Sequence, residues 1–285
     1  MRTNTSYDIS QYLGLHVGGD EKALLGIPSL YAKGFRVFQV FLSPADLIQR
    51  VDRERVVGFS ASLPSDITLV AHAPYFMNLC TTGDLKHWQA SLRYLVRAGQ
   101  IASQIGVSRL VTHIGAISGS QSITTGYYAL FNFCSQWLEL TEGLDVILCL
   151  ENDAGSNTGK KIGSLKLLYK VIKEMKHPRI RMCFDTEHAY ANGFDLSQED
   201  ILQKVLAISS VVHLNAIPSY VERGSHIDRH SETLIQDSKE GPDPILKIAR
   251  GSLERELPMI LERRELWFLF QDYAFVSETL SQGVI

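Results

Sequence analysis

Six short apolar runs in this chain end on a side chain that can bind metal: ITLVAH at His72, RLVTH at His113, VILCLE at Glu151, RIRMCFD at Asp185, SSVVH at His213 and PMILE at Glu262. His188 follows three residues after Asp185, and Asp228 and His230 follow the SSVVH run. One histidine beside an apolar run is usually a satisfied core residue. A series of such endings is different, because a carboxylate taken into an apolar interior costs several kcal/mol unless it is paired or bound to a metal. The fold must therefore bring the C-terminal ends of these runs together.

Between the runs the periodicity is helical. QYLGLHVGG (11–19) alternates as a strand, Asp20 offers a helix cap, and EKALLGIPSLYAKG is predicted to bend near Pro28 and stop near Gly34. FRVFQVFL (35–42) reads as a buried strand, and Ser43-Pro44-Ala45-Asp46 as the start of a helix to about Ser62. ITLVAHAPY precedes a helix with Leu85, Trp88, Leu92, Leu95, Ala102 and Ile105 on one face, ended by Gly106. RLVTHIGA precedes a helix from Ser122, and VILCLEND one capped by Ser164 and stopped before Pro178. After RIRMCFD, Ser197 to Asp200 resembles a capping box. SSVVHLNAI leads into a long loop, which at more than about 15 residues is either functional or disordered, and then a helix over 244–256. PMILE and LWFLFQDYAFVSETL close the series. Eight β-α units imply one α/β domain, residues 1–285, folded as a (β/α)8 barrel with its site at the C-terminal ends of the strands.

Composition narrows the class further. With 45% hydrophobic and 21% charged residues the chain can build a sizeable core, and no apolar stretch approaches the roughly 18 residues of a membrane span. The polar start MRTNTSYDIS has no signal-like apolar region. Cys80, Cys134, Cys149 and Cys183 form no CxxC pair, so reduced, buried thiols and a cytoplasmic or nuclear location are expected. A formal charge of −3 gives no overall basic footprint for nucleic acid.

Carboxylates and neutral imidazoles without thiolates suit zinc or manganese. Nine candidates exceed the four or so protein ligands that one zinc takes, which implies more than one ion. Asp228 and His230, two apart in an extended loop, can reach one ion together, with His188 as their third partner. Clustered divalent ions are the machinery of phosphodiester cleavage. Each such ion would add two charges to the formal −3, giving phosphate a positive target at the barrel rim.

The motifs HAPYFMN, THIGA, LEND, DTEHAYANGFD, HLN, GSHIDRH and PMILE, in that order and spacing, resemble the endonuclease IV family of apurinic/apyrimidinic endonucleases over nearly the whole chain. DTxHAxxxGxD followed by GSxxDRH is the most specific part. The resemblance implies a TIM barrel with three zinc ions, manganese being possible in one site, that cuts double-stranded DNA 5′ to an abasic nucleotide and leaves a 3′-hydroxyl during base excision repair. It implies that His72 and His113 hold one ion, Asp185, His213 and Glu262 a second, and His188, Asp228 and His230 a third. Glu151 would bridge the first two, and Glu151 and Glu262 would be the catalytic carboxylates. Tyr75 and Phe76, just after His72, would enter the duplex at the lesion, and the enzyme is expected to be a monomer. Three stretches depart from the family: Ala216 follows HLN where an acid is usual, SETLIQDSKEG replaces a Gly-rich stretch, and LSPADL lacks basic and aromatic residues.

Other features carry plainer expectations. His16, near a strand end, reads as structural with support of the ligands as the alternative, His87 and His177 as solvent-facing helix positions, and His226 as a loop-surface residue with substrate contact as the alternative. Arg223, Arg229, Arg263 and Arg264 fall near the rim, where phosphate contacts and surface salt bridges are equally open, and Arg229 is the one expected on DNA phosphate. ENDAGSNTGKK is no Walker A loop; phosphate contact and a simple loop both remain open. The competing enzyme is a xylose-isomerase-like sugar isomerase or epimerase holding one divalent ion on Glu151, Asp185, His213 and Glu262. It leaves His72, His113, Asp228 and His230 without a shared role. A non-catalytic binder of damaged DNA is the remaining alternative, and the intact ligand set argues against it.

Overall fold

The computed structural model describes residues 7–18, 21–42, 62–234, 241–263 and 265–282. Eight parallel strands form a closed barrel: β1 (Leu13–Gly18), β2 (Val37–Phe41), β3 (Thr68–His72), β4 (Arg109–His113), β5 (Ile147–Glu151), β6 (Ile180–Asp185), β7 (Ser209–His213) and β8 (Met259–Leu261). Each pairs with the next and β8 returns to β1. Among the described residues the helices are α1 (Glu21–Ala32), α2 (Leu85–Gln104), α3 (Ile123–Leu140), α4 (Leu165–Met175), α5 (Thr186–Ala191), α6 (Glu199–Ile208), α7 (Asp243–Leu253) and α8 (Leu266–Gln282). None of them is long and apolar enough to cross a membrane. The helix expected from Ser43 and the Asp20 cap lie outside the described residues.

Local chemistry sets most helix ends. The Ser122 and Ser164 hydroxyls accept from the Thr125 and Leu167 amides, as N-caps do. The expected capping box at Ser197 does not form. Asp195 Oδ1 accepts from both the amide and the hydroxyl of Ser197, at 3.0 and 2.7 Å, and α6 starts at Glu199 without a side-chain cap. A short aspartate side chain offers the backbone a turn that competes with the helical cap.

Strand alternation separates two apolar layers. Leu110, Leu148, Leu150, Met182 and Phe184 face outward, into one core with helix residues such as Leu95, Trp137, Leu168 and Leu202. Val37, Val70, Val111, Cys149, Cys183, Val211 and Ile260 form the interior layer, one from each of β2 to β8. On β1 the matching residue is Gly14, whose added Cβ would lie 2.4 Å from the Val37 carbonyl oxygen. Successive inward side chains are two residues apart. The next inward position on every chain segment is polar: His16, Gln39, His72, His113, Glu151, Asp185, His213 and Glu262. The pleat of the barrel thus lays a polar ring on an apolar floor, at the strand ends where barrel sites are built.

Candidate metal centre

Glu151 ends β5 at the centre of this ring and is 1% exposed. Its Oε2 lies 3.0 Å from His72 Nε2 and 3.4 Å from His113 Nε2. Its Oε1 lies 3.1 Å from His213 Nδ1 and 3.4 Å from His188 Nδ1. His113 is the register partner of Glu151, so the pairing of β4 with β5 sets that contact directly. His72 Nδ1 is 2.8 Å from the Ala73 carbonyl oxygen, which takes its proton and leaves Nε2 as the donor atom for a metal.

Asp185 and His213, register partners on β6 and β7, meet Glu262 in a second group. His213 Nδ1 is 3.6 Å from Asp185 Oδ2 and 3.4 Å from Glu262 Oε2. Two residues outside the sequence-derived set orient it. Gln39 Nε2 donates to Glu262 Oε1 at 2.7 Å, and Gln39 Oε1 lies 2.8 Å from His213 Nε2. That bond keeps a proton on Nε2 and leaves Nδ1, which faces the carboxylates, as the atom that would ligate a metal. Asn215 Nδ2 donates to Asp185 Oδ2 at 2.6 Å and to Glu262 Oε2 at 2.9 Å. Gln39 is signalled as the sole polar residue of VFQVF, two positions after inward Val37. His16, expected to be structural, belongs to the same ring, with Nδ1 3.0 Å from Gln39 Nε2 and 3.9 Å from Glu262 Oε1.

The third group depends on a helix start. Asp185 is the N-cap of α5 and accepts from the His188 amide at 2.8 Å, which brings His188 back over the strand ends. His188 Nδ1 is 3.0 Å from the Asn152 carbonyl oxygen, and its Nε2 is 3.4 Å from Asp228 Oδ1. The His230 ring centroid is 5.7 Å from that of His188. Glu187, also absent from the sequence-derived set, is fully buried here; its Oε1 accepts from the Arg229 amide at 3.3 Å.

Burial opposes every charge in this cluster, and the pairings decide which survive. Against burial, His113 and His213 hold the Glu151 carboxyl well below the ordinary range. His188 and His213 lower Asp185 against burial, and His213 and His16 lower Glu262. The hydrogen bond from His188 lowers Asp228. Burial lowers His113 and His230 and takes His16 to about 4. His188 and His213 are raised well above the usual imidazole value against burial, His188 chiefly by Asp185. Glu187 is pushed up by burial to about 8. The four cysteines are free and buried; burial raises the Cys183 thiol, which belongs to the apolar interior layer. Apart from one group in which Cys183 approaches Glu151 and His213, the donors are oxygen and imidazole nitrogen with excess negative charge, which suits zinc or manganese, and they divide into several groups able to hold metal ions.

The residues expected to contact substrate are placed unequally. Tyr75 is 67% exposed and lies against the His72 and His113 rings, with centroids 5.5 and 5.2 Å away. Phe76 is 40% exposed and packs edge-on against Tyr94 of α2. Its carbonyl oxygen lies 2.7 Å from His87 Nε2, so His87 ties down this loop instead of facing solvent. Arg229 is exposed between Asp228 and His230. Arg223 pairs with Asp195 at 2.8 Å. Arg263 is not a rim residue: it is buried against Asp272 at 2.8 Å and donates to Asn215 Oδ1 at 3.0 Å. Its neighbour Glu262 faces the ring, so alternation turns Arg263 the other way. Arg264 lies outside the described residues. His226 is half-buried, with Nδ1 2.9 Å from the Ala154 carbonyl oxygen. His177 lies in the turn after α4, not on it, and its Nδ1 accepts from the Arg179 amide. In ENDAGSNTGKK, Lys161 pairs with Asp153 at 3.2 Å, and the amides of Lys160 and Lys161 donate to Ser156 Oγ. Ala216 is buried. Most of LSPADL, and 235–240 of SETLIQDSKEG, lie outside the described residues.

Residues 30–236 match the family described as Xylose isomerase-like TIM barrel. The probable endonuclease 4 of Methanoculleus marisnigri is 31% identical over 205 residues, covering 68% of this chain and 70% of the relative. The crystal structure of endonuclease IV from Thermus thermophilus superposes with a TM-score of 0.74 at 24% identity, covering 94% of this chain and 99% of that one. A D-tagatose 3-epimerase-like protein superposes with a TM-score of 0.70 at 15% identity, covering 95% and 96%. A closed parallel barrel with several buried His/Asp/Glu groups at its strand ends defines a metal-dependent enzyme of the xylose isomerase-like TIM barrel superfamily. Within that superfamily the chain belongs to the endonuclease IV-like family.

Proposed function

We propose that this protein hydrolyses the phosphodiester bond 5′ to an abasic nucleotide in double-stranded DNA, leaving a 3′-hydroxyl for base excision repair. The observation that carries the reading is the division of the Glu151 carboxylate. One oxygen faces His72 and His113 while the other faces His213, as a carboxylate shared between two ions would. In this reading His72 and His113 hold one zinc, Asp185, His213 and Glu262 a second, and His188, Asp228 and His230 a third, where manganese is the alternative. When bound, such ions polarise the phosphate, generate hydroxide from water near neutral pH and stabilise the leaving oxygen. Glu151 and Glu262 hold the reacting centre in register, and Gln39 and Asn215 keep the two Glu262 oxygens aimed. Arg229 meets the DNA backbone, and Tyr75 beside the ring tests for the missing base, where unstacking costs least.

A second reading has one observation in its favour: Glu151, Asp185, His213 and Glu262 converge by themselves, as a single-ion sugar isomerase or epimerase needs. It gives no part to His72, His113, His188, Asp228 and His230, which the fold brings to the same cluster. Supercoiled plasmid carrying abasic sites, scored for nicking with and without chelator, separates the two. Chelator-sensitive nicking that depends on the abasic sites is expected. Metal-loaded protein that leaves the plasmid intact and epimerises a ketose overturns the nuclease reading.

A further inference from the structure

Glu187 stands apart from the nine-residue set, yet its side chain is fully buried among it. Its Oε2 is a buried oxygen with no hydrogen-bond partner, at a place where an unpaired carboxylate costs several kcal/mol. That oxygen lies 4.0 Å from His188 Nε2, the nitrogen that also faces Asp228. Ligand-capable atoms of Asp185, Glu187, His188 and His230 all lie within 4.8 Å of one another. The other oxygen, Oε1, is already engaged by the Arg229 amide, between Asp228 and His230. Placement on α5 is forced: Asp185 caps the helix, and Glu187 and His188 follow in its first turn.

We propose that Glu187 Oε2 is a fourth protein ligand of the ion held by His188, Asp228 and His230. The inference rests on an ion being bound at those three residues and adds to them a position that the family resemblance does not assign. Two imidazoles and two carboxylates neutralise a divalent ion. They also fill a tetrahedral zinc shell, so an ion that still accepts a phosphate oxygen there must be five- or six-coordinate. The added hard oxygen moves the preference of this site toward manganese relative to a three-ligand site. Glu187 thereby acts both on the ion and, through Oε1, on the loop carrying Asp228 and His230.

The test is Zn2+ and Mn2+ titration of metal-stripped full-length protein by equilibrium dialysis, comparing wild type, Glu187→Gln, Glu187→Ala and His188→Ala. Glu187→Gln keeps a carbonyl oxygen for the Arg229 amide and removes the charged donor. It is expected to weaken one ion on the order of 10- to 100-fold, the same ion that His188→Ala removes, and to reduce the Mn2+ to Zn2+ preference. The other ions should bind as in wild type. Thermal melting of the stripped variants, with no loss expected for Glu187→Gln, checks the fold. Wild-type affinities in Glu187→Gln overturn the ligand role. If Glu187→Ala alone weakens the ion, Glu187 only clamps the Arg229 amide, which also overturns it. If His188→Ala changes no affinity, no ion is held there, and the three-ion reading falls together with the role of Glu187.

Discussion

Gln39 and Glu262 lie 223 positions apart in the chain, yet the Gln39 amide donates to Glu262 Oε1 at 2.7 Å. The same amide group receives His213 Nε2 at 2.8 Å, so one neutral side chain orients an acid and an imidazole of the same candidate ion site. Gln39→Ala frees the His213 tautomer and leaves the Glu262 oxygen without its donor. Metal affinity at that site should fall on the order of 10- to 100-fold. Competition with a chromogenic chelator reads this directly, and an unchanged release curve would show that Gln39 orients nothing.

Metal removal should cost stability as well as activity. Elemental analysis is expected to find about three ions per chain, predominantly zinc, as the proposed ligand assignment requires. An ion present at 1,000 times its dissociation constant stabilises the fold by about 4 kcal/mol. Stripping all of them should therefore lower the Tm by more than about 10 °C. A single tightly held ion in active protein would favour the isomerase reading.

Glu151→Gln keeps shape and removes the charge shared between the His72–His113 and His213–His188 sides. Cleavage of abasic DNA should fall by roughly three orders of magnitude, as the loss of several kcal/mol of transition-state stabilisation requires. Binding of abasic duplex should persist, since phosphate contacts come from other residues. Single-turnover nicking and a gel-shift titration measure the two halves; wild-type turnover would remove Glu151 from the mechanism.

Tyr75 and Phe76 should separate when mutated singly. Tyr75 stacks on Phe41, with centroids 5.2 Å apart, and leaves most of its ring in solvent beside the cluster. Tyr75→Ala should keep fold and metal but lose much of the preference for abasic over intact duplex. Phe76, braced on Tyr94, should cost about 1 kcal/mol of stability when truncated, within the range of an aromatic pair. The double variant should lose most of the preference. Unchanged discrimination per active molecule would move lesion recognition elsewhere.

Arg263 and Asp272 form a buried pair at 2.8 Å with side chains 1% and 0% exposed. Asp272→Ala strands the guanidinium and should cost about 3–5 kcal/mol. It should also loosen Asn215, which accepts from Arg263 and donates to Asp185 and Glu262. Urea denaturation of metal-free protein tests the first effect. A cost below about 1 kcal/mol would show the pair to be solvated.

Much of this protein is already decided by the sequence alone. Eight apolar runs alternating with helical periodicity define the (β/α)8 order, because strand and helix periods are properties of neighbouring residues. Six of the nine candidate ligands are legible for the same reason: His113, Glu151 and Asp185, for example, each stand two positions after an inward Val or Cys, and polarity at a strand end needs no tertiary information. Tertiary structure alone decides the partners. His16 and Gln39 obey the same two-residue rule, but an imidazole or an amide in a strand reveals nothing until Glu262 and His213 arrive from the other side of the closure. Glu187 looks like an ordinary acid in a helical first turn, and only the return of the loop with Arg229 buries it. Arg263 is a rim arginine in sequence and a buried one in space, because Asp272 on α8 reaches it where it turns away from the ring. Alternation along a strand sets which way a side chain points, whereas register between strands and closure of the barrel set what it meets.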